Sequence, residues 1–373
     1  MPDNLPKTVG ELDTPTLVID LAIMEQNLQH ASAFARLRGV ALRPHTKTHK
    51  SVALAQRQME LGACGVTVAK PGEAEVMAAG GIRDLFVAHH VVGTGKLERL
   101  RALQRQGVRI AVSCDHVDQA RMISAVFGGE PAPLEVMIEV DTGQHRSGLE
   151  PGTAVAELAR AIREIPGLRV RGIFTHEGHS YYASSIAELR EGCIAAQQAL
   201  VDTAGLLQRQ LGLSCEVSIG STPTLLAESA VLPGITEMRP GTYIFNDLSM
   251  AGIVGRGRCA ATILATVTSI VGGNRVILDT GSKSLSQDKR ADGICKTAEG
   301  YGYLVGKDEY ITRLSEEHGV VVTAHPEQYS VGEKVRILPN HVCVTVNLAQ
   351  QVVGVRGNEV VAVLTADARG RLQ

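Results

Sequence analysis

Short apolar runs rich in β-branched residues recur through the first two-thirds of the chain, near 16–20, 40–43, 65–68, 84–88, 108–113, 135–140, 170–175 and 216–219. A further extended run spans 236–245. Between several of them, at 23–38, 51–61, 72–79, 154–165 and 185–211, apolar residues return at three- and four-residue spacing, as amphipathic helices require. Strand and helix alternating in this way predict βα units and a parallel sheet, for which a closed (β/α)8 TIM-like barrel is the simplest architecture. Beyond about Asp247 the rhythm changes: strand-like runs at 260–270, 275–279, 320–322, 334–338 and 352–355 follow without long helical patterns between them. The expected fold is therefore α/β, a barrel over 1–247 and then a β domain over 248–373, with the first residues also compatible with the β domain.

Polar clusters fall just after the apolar strands: Lys47, His89-His90, Asp141 to Arg146, His176 to Tyr182, and Gly220 to Thr224. In a (β/α)8 barrel these C-terminal strand ends build the active site. The densest cluster is Arg43-Pro44-His45-Thr46-Lys47-Thr48-His49-Lys50. Treated as a strand, it places Arg43, His45, Lys47 and His49 on one face. A lysine crowded by like charges and shielded from water gives up its proton more readily, as an amine must to attack a carbonyl and form a Schiff base. The residues alone leave a basic surface loop as the alternative, and leave Lys47 and Lys50 in competition.

Composition narrows the chemistry. The 373 residues carry a formal net charge of −2, so no broad basic field exists for nucleic acid or a membrane surface, and a small-molecule substrate is expected. Seven scattered cysteines with no close pair suit reduced thiols. No charged-then-apolar leader and no apolar run of membrane-spanning length are seen, and a cytoplasmic location is the expectation.

Gly220-Ser221-Thr222-Pro223-Thr224 offers a glycine, hydroxyls and backbone N–H groups after a strand, a combination that satisfies a phosphate. Arg239-Pro240-Gly241-Thr242-Tyr243 supplies a second such turn. Two of these beside a nucleophilic lysine point to pyridoxal 5′-phosphate, which needs an amine for its aldehyde and a cradle for its phosphate. Arg146 ends another strand and suits the cofactor's phenolate oxygen or a substrate carboxylate; an ion pair with Glu139 or Asp141 is the competing reading. In Pro339-Asn340-His341-Val342-Cys343, strand alternation projects His341 and Cys343 from one face, where imidazole and thiolate suit a soft or borderline divalent ion. By itself such a pair is usually a chance pairing in a strand.

Together the motifs resemble the fold-type III pyridoxal-phosphate enzymes founded on alanine racemase, and more closely their D-threonine aldolase and D-serine dehydratase branch, from about Leu12 to Arg371. The resemblance implies that Lys47 forms the Schiff base, that Arg146 contacts the phenolate, and that Gly220, Ser221, Thr222, Gly241 and Thr242 hold the phosphate. It makes Arg239 a candidate to face the pyridine nitrogen. His341 and Cys343 become ligands of Zn2+, or of manganese or cobalt, set against the substrate's β-hydroxyl, although D-threonine aldolases tend to have Asp where Cys343 stands. The implied reaction is dehydration of D-serine or D-threonine to a 2-oxo acid and ammonia, with Lys47 as the base at Cα. Alternatives are D-threonine aldol cleavage, with His176 or His179 as the base, then a racemase or a non-catalytic cofactor carrier. Enzymes of this type form homodimers, and no nucleic-acid or membrane partner is expected.

Overall fold

In the computed structural model, which describes residues 6–290, 292–297 and 299–373, the first predicted strand, β1 (Thr16–Asp20), stands outside the barrel. It pairs antiparallel with Ala261–Val271, Thr16 opposite Leu264, and parallel with Gln351–Arg356, Val18 opposite Val353. The chain thus begins in the C-terminal sheet before it enters the barrel. Asp20 ends β1 and caps the next helix, Leu21–Arg38, its carboxylate accepting the N–H groups of Ala22 and Ile23 at 2.9 and 3.1 Å. Gly39, at φ 66°, closes that helix in the left-handed conformation that glycine adopts without penalty.

Eight parallel strands follow: β2 (Ala41–Leu42), β3 (Val66–Val68), β4 (Asp84–Val87), β5 (Arg109–Cys114), β6 (Leu134–Glu139), β7 (Leu168–Phe174), β8 (Glu216–Ile219) and β9 (Glu237–Met238). Their order is β2-β9-β8-β7-β6-β5-β4-β3. A parallel bridge from His45 to Thr67 brings the two ends together. The extended run predicted over 236–245 is strand only at β9; it then turns through Thr242–Ile244. Helices at Thr94–Arg105 and Val117–Phe127, not among those predicted, complete the βα alternation. Inside the barrel Phe86, Ala111, Met137 and Phe174 form an apolar plug, with the two phenylalanine rings edge to face at 4.9 Å.

The second sheet has ten strands, among them Ala261–Val271, Arg275–Leu278, Gly319–Val322, Lys334–Leu338, Gln351–Arg356 and Glu359–Thr365. Among the described residues no helix is long and apolar enough to cross a membrane. One predicted strand is absent from this sheet. Residues Val342–Leu348 form a helix, with His341 at its N-cap and Cys343 in its first turn. The β-branched alternation Val342-Cys343-Val344-Thr345-Val346 invites a strand reading, but the buried Asp247 carboxylate accepts the Val342 N–H at 2.9 Å and pins a helix start there.

Candidate active site

At the C-terminal rim of the barrel, a cavity of about 240 Å³ opens between the strand-end loops and residues of the second sheet unit. Lys47, Arg146, His176, Gly220, Ser221, Thr222, Arg239, Gly241, Thr242, His341 and Cys343 all line it. His179 does not. Its ring packs against Gly143 and Gly192 behind the loop that follows β6, and its Nδ1 is buried without a hydrogen-bond partner.

The basic octapeptide does not form the alternating strand predicted for it. The strand stops at Leu42 and the chain turns. Arg43 dives into the barrel, pairing with Glu237 and Asp84 at 2.6 Å each. His49 is held between the Gln58 side chain and the Ser51 N–H. Lys50, at φ 52°, is buried against Glu73 at 2.7 Å. Only His45 and Lys47 of the cluster face the cavity, so the competition between the two lysines is resolved by an ion pair that removes Lys50.

The two Gly/Ser/Thr turns are knitted together. The Gly241 N–H donates to Thr222 Oγ1 at 3.2 Å, and Ser221 Oγ caps the short helix Thr222–Leu226 by accepting from the Thr224 N–H. A Cβ at Gly241 would lie 3.0 Å from Thr48 Oγ1 and 3.2 Å from the His45 carbonyl, so the turn abuts the Lys47 segment with no room for a side chain. His176 Nδ1 lies 2.7 Å from the Gly220 carbonyl. Burial, then the neighbouring Lys47, pulls its pKa to about 3, so the ring is neutral. Donation from Nδ1 to that carbonyl leaves Nε2 as an acceptor. Arg239 is buried over the Phe174 ring at 5.0 Å and donates to the Thr175 carbonyl at 2.6 Å and to Ser218 Oγ.

Arg146 forms no ion pair among the described residues. Its two predicted competitors are otherwise engaged: Glu139 with His90 at 3.2 Å and Ser147 at 3.0 Å, Asp141 with His145 at 3.2 Å and the Gly143 N–H. His90, Asp115 and Glu139 are grouped closely enough to hold a metal ion. Both carboxylates already accept protein donors, Asp115 from the Gly148 N–H at 2.9 Å, and Arg146 adds positive charge beside Glu139. His90 Nε2 lies 3.2 Å from Glu139 Oε2 and 3.5 Å from Asp115 Oδ2, so the three form a His–carboxylate cluster at the edge of the barrel.

His341 and Cys343 do meet, by a route other than strand alternation. Both line the cavity, His341 Nδ1 lies 2.8 Å from Asp288 Oδ2, and Cys343 Sγ lies 3.2 Å from Thr48 Oγ1. Burial alone would raise the thiol, but the His341 cation outweighs burial and lowers it; the thiolate with Asp247 and Asp288 raises His341 in return. A site that favours a thiolate beside an imidazole suits a divalent cation, whose ligands must be deprotonated. Asp288 gives the histidine the carboxylate partner typical of metal-bound imidazoles. Sequence reading missed Asp288, Arg290 and Gln144, which sit in loops without periodicity, and passed over Glu177 although it adjoins His176.

No carboxylate lines the cavity among the described residues; an amine, three guanidinium groups, hydroxyls and a His–Cys pair do. These groups fit an anionic aldehyde cofactor and a divalent ion. Residues 19–249 match the family of the alanine racemase N-terminal domain, and residues 260–355 match the serine dehydratase domain. The D-threo-3-hydroxyaspartate dehydratase of Delftia sp. (strain HT23) is 34% identical, over 91% of this chain and 93% of its own. The D-threonine aldolase of Arthrobacter sp. is also 34% identical, over 97% and 94%. The crystal structure of D-threonine aldolase from Filomicrobium marinum superposes with a TM-score of 0.89 at 30% identity, covering 100% of both chains. The Delftia dehydratase has also been solved as a cysteine-to-alanine variant in metal-free form, TM-score 0.87 at 31% identity over 97% and 99%, and as a histidine-to-alanine variant two positions earlier.

Proposed function

Because the chain belongs to the alanine racemase N-terminal family and carries the serine dehydratase domain behind it, we propose that it is a pyridoxal 5′-phosphate- and divalent-metal-dependent lyase of D-3-hydroxy amino acids. Lys47, the Gly220 and Gly241 turns and the His341–Cys343 pair face one cavity, and this juxtaposition carries the assignment. The His-x-Cys spacing of the Delftia variants supports the metal half of it.

Pyridoxal phosphate bound here supplies an electron sink for charge developing at Cα, and a zinc ion, or manganese or cobalt in its place, supplies a Lewis acid for the β-oxygen. In this reading Lys47 Nζ anchors the cofactor and then takes the Cα proton. Arg146 receives the phenolate oxygen, and the hydroxyls of Ser221, Thr222 and Thr242 with the Gly220 and Gly241 turns receive the phosphate. Arg239, already bonded to Ser218 and Thr175, has only N–H groups and would offer no acceptor to a protonated ring nitrogen. His341 and Cys343 bind the ion, oriented by Asp288.

Dehydration to a 2-oxo acid and ammonia is the leading reaction. Aldol cleavage is the second reading, favoured by one observation: neutral His176 carries an accepting Nε2 suited to a hydroxyl proton. His179, outside the cavity, serves that role less well. A racemase or a cofactor carrier has no use for the His–Cys pair. A cytoplasmic homodimer completes the proposal, and sedimentation at about twice the mass of one chain checks the assembly. Purified protein loaded with pyridoxal phosphate and zinc is expected to convert D-threonine to 2-oxobutyrate and ammonia; glycine plus acetaldehyde selects the aldolase, and neither a 2-oxo acid with ammonia nor glycine with an aldehyde from any D-3-hydroxy amino acid overturns the lyase.

A further inference from the structure

Three of the four cationic side chains at the cavity have assigned work. Lys47 is the amine, Arg146 ends the β6 loop without an ion pair and awaits the cofactor, and Arg239 spends its N–H groups on Ser218 and Thr175. Arg290 is the fourth, and nothing in the reaction described so far uses it. Its guanidinium stands 4.5 Å over the Tyr181 ring and 5.5 Å from that of Tyr182. Its Nη1 is buried and has no hydrogen-bond partner, and among the described residues no carboxylate forms an ion pair with it. An unpaired buried guanidinium N–H is costly to keep. It is the expected signature of a site whose missing partner is an anionic ligand.

The backbone holds this arginine in place. The Arg290 N–H donates to Thr297 Oγ1 and its carbonyl accepts the Thr297 N–H, both at 2.8 Å. Two residues earlier on the same loop, Asp288 grips His341, and the Asp288 carbonyl accepts from Asn340 Nδ2 at 2.9 Å. One loop therefore sets both the orientation of the metal histidine and the position of the guanidinium.

Location decides which carboxylate it meets. A second cavity of about 460 Å³ adjoins the first, and Tyr182, Ser249, Arg290 and His341 line both. Lys47 lines the first and not the second. A substrate with its amine-bearing carbon at Lys47 and its β-oxygen at His341 directs its β-substituent toward Arg290. We propose that Arg290 selects substrates bearing a carboxylate on Cβ, so that the site takes a D-3-hydroxy dicarboxylic amino acid in preference to D-threonine or D-serine; this rests on the lyase reading above. A methyl group or hydrogen at that position leaves the guanidinium unpaired, and a carboxylate satisfies it bidentately with the tyrosine rings as walls. Sites built to pair a polar group discriminate strongly against analogues that lack it.

Loaded wild-type enzyme is expected to show a kcat/KM for D-threo-3-hydroxyaspartate at least about tenfold above that for D-threonine. Arg290→Met should lower the first value about a hundredfold and leave the second within about threefold, with Arg290→Lys recovering part of the loss. Malate, which carries the β-hydroxy carboxylate but no amine, should bind the holoenzyme in a calorimeter at least about tenfold more tightly than 3-hydroxybutyrate, and Arg290→Met should abolish the difference. Equal losses on both substrates in both variants, or no loss on either, overturn the role of Arg290 and leave the lyase reading standing. Arg290-dependent malate binding without turnover of any D-3-hydroxy amino acid instead sinks the lyase reading and keeps the carboxylate site.

Discussion

Glu177 lies fully buried beneath the Ser221 turn, one carboxylate oxygen accepting from Thr224 Oγ1 at 3.1 Å and the other without a partner. Burial pushes its pKa from 4.5 up to about 7. An acid that holds its proton more tightly when folded contributes stability below its unfolded pKa and loses it as pH rises through the folded one. Between about pH 4.5 and 7 the wild type should therefore lose about 3 kcal/mol that Glu177→Gln retains, read as a flatter profile of urea midpoint against pH; parallel profiles would contradict it. At this scale the sequence was legible where chemistry is local. Lys47, Arg146, His176 and the two turns were expected to converge because each follows a strand, and all of them line one cavity. Strand alternation put Arg43 on the Lys47 face and left Lys50 in competition with Lys47; their actual partners, Glu237 and Glu73, lie 194 and 23 residues away and leave no trace in local spacing.

Among the elements, the short ones place the chemistry. The turn at Gly241 is packed against Thr48 and the His45 carbonyl, so it couples the proposed phosphate cradle to the Lys47 segment. Gly241→Ala should push these apart, weakening pyridoxal phosphate binding about tenfold in equilibrium dialysis while costing about 1 kcal/mol of stability. Unchanged affinity would show that the turn tolerates a side chain and carries no phosphate. The barrel strands were predictable because buried parallel strands are rich in apolar residues, as in β6, where Leu134, Val136, Met137 and Ile138 are buried together with Glu135 and Glu139. The helix at Val342–Leu348 was not, because five residues of β-branched alternation outweigh a cap supplied by Asp247, about a hundred residues earlier. His341 and Cys343 meet all the same, since N-cap and first-turn side chains share one end of a helix as well as one face of a strand.

At the scale of the whole molecule, the barrel supplies the amine and the anion cradle, and the second sheet unit supplies the His–Cys pair and Arg290. Alternation of strand and helix revealed the barrel, but not that β1 leaves it to sit between Ala261–Val271 and Gln351–Arg356. A five-residue apolar run carries no mark of which sheet it joins. The central claim is that these two units share one cofactor-plus-metal site, and Cys343→Ala tests it most directly. The variant, loaded with pyridoxal phosphate and zinc, should keep the visible absorbance of the cofactor joined to Lys47. Its bound metal should fall from about one ion per chain to near none, and its turnover of D-3-hydroxy amino acids by about a thousandfold or more. Retention of both metal and activity would contradict the account.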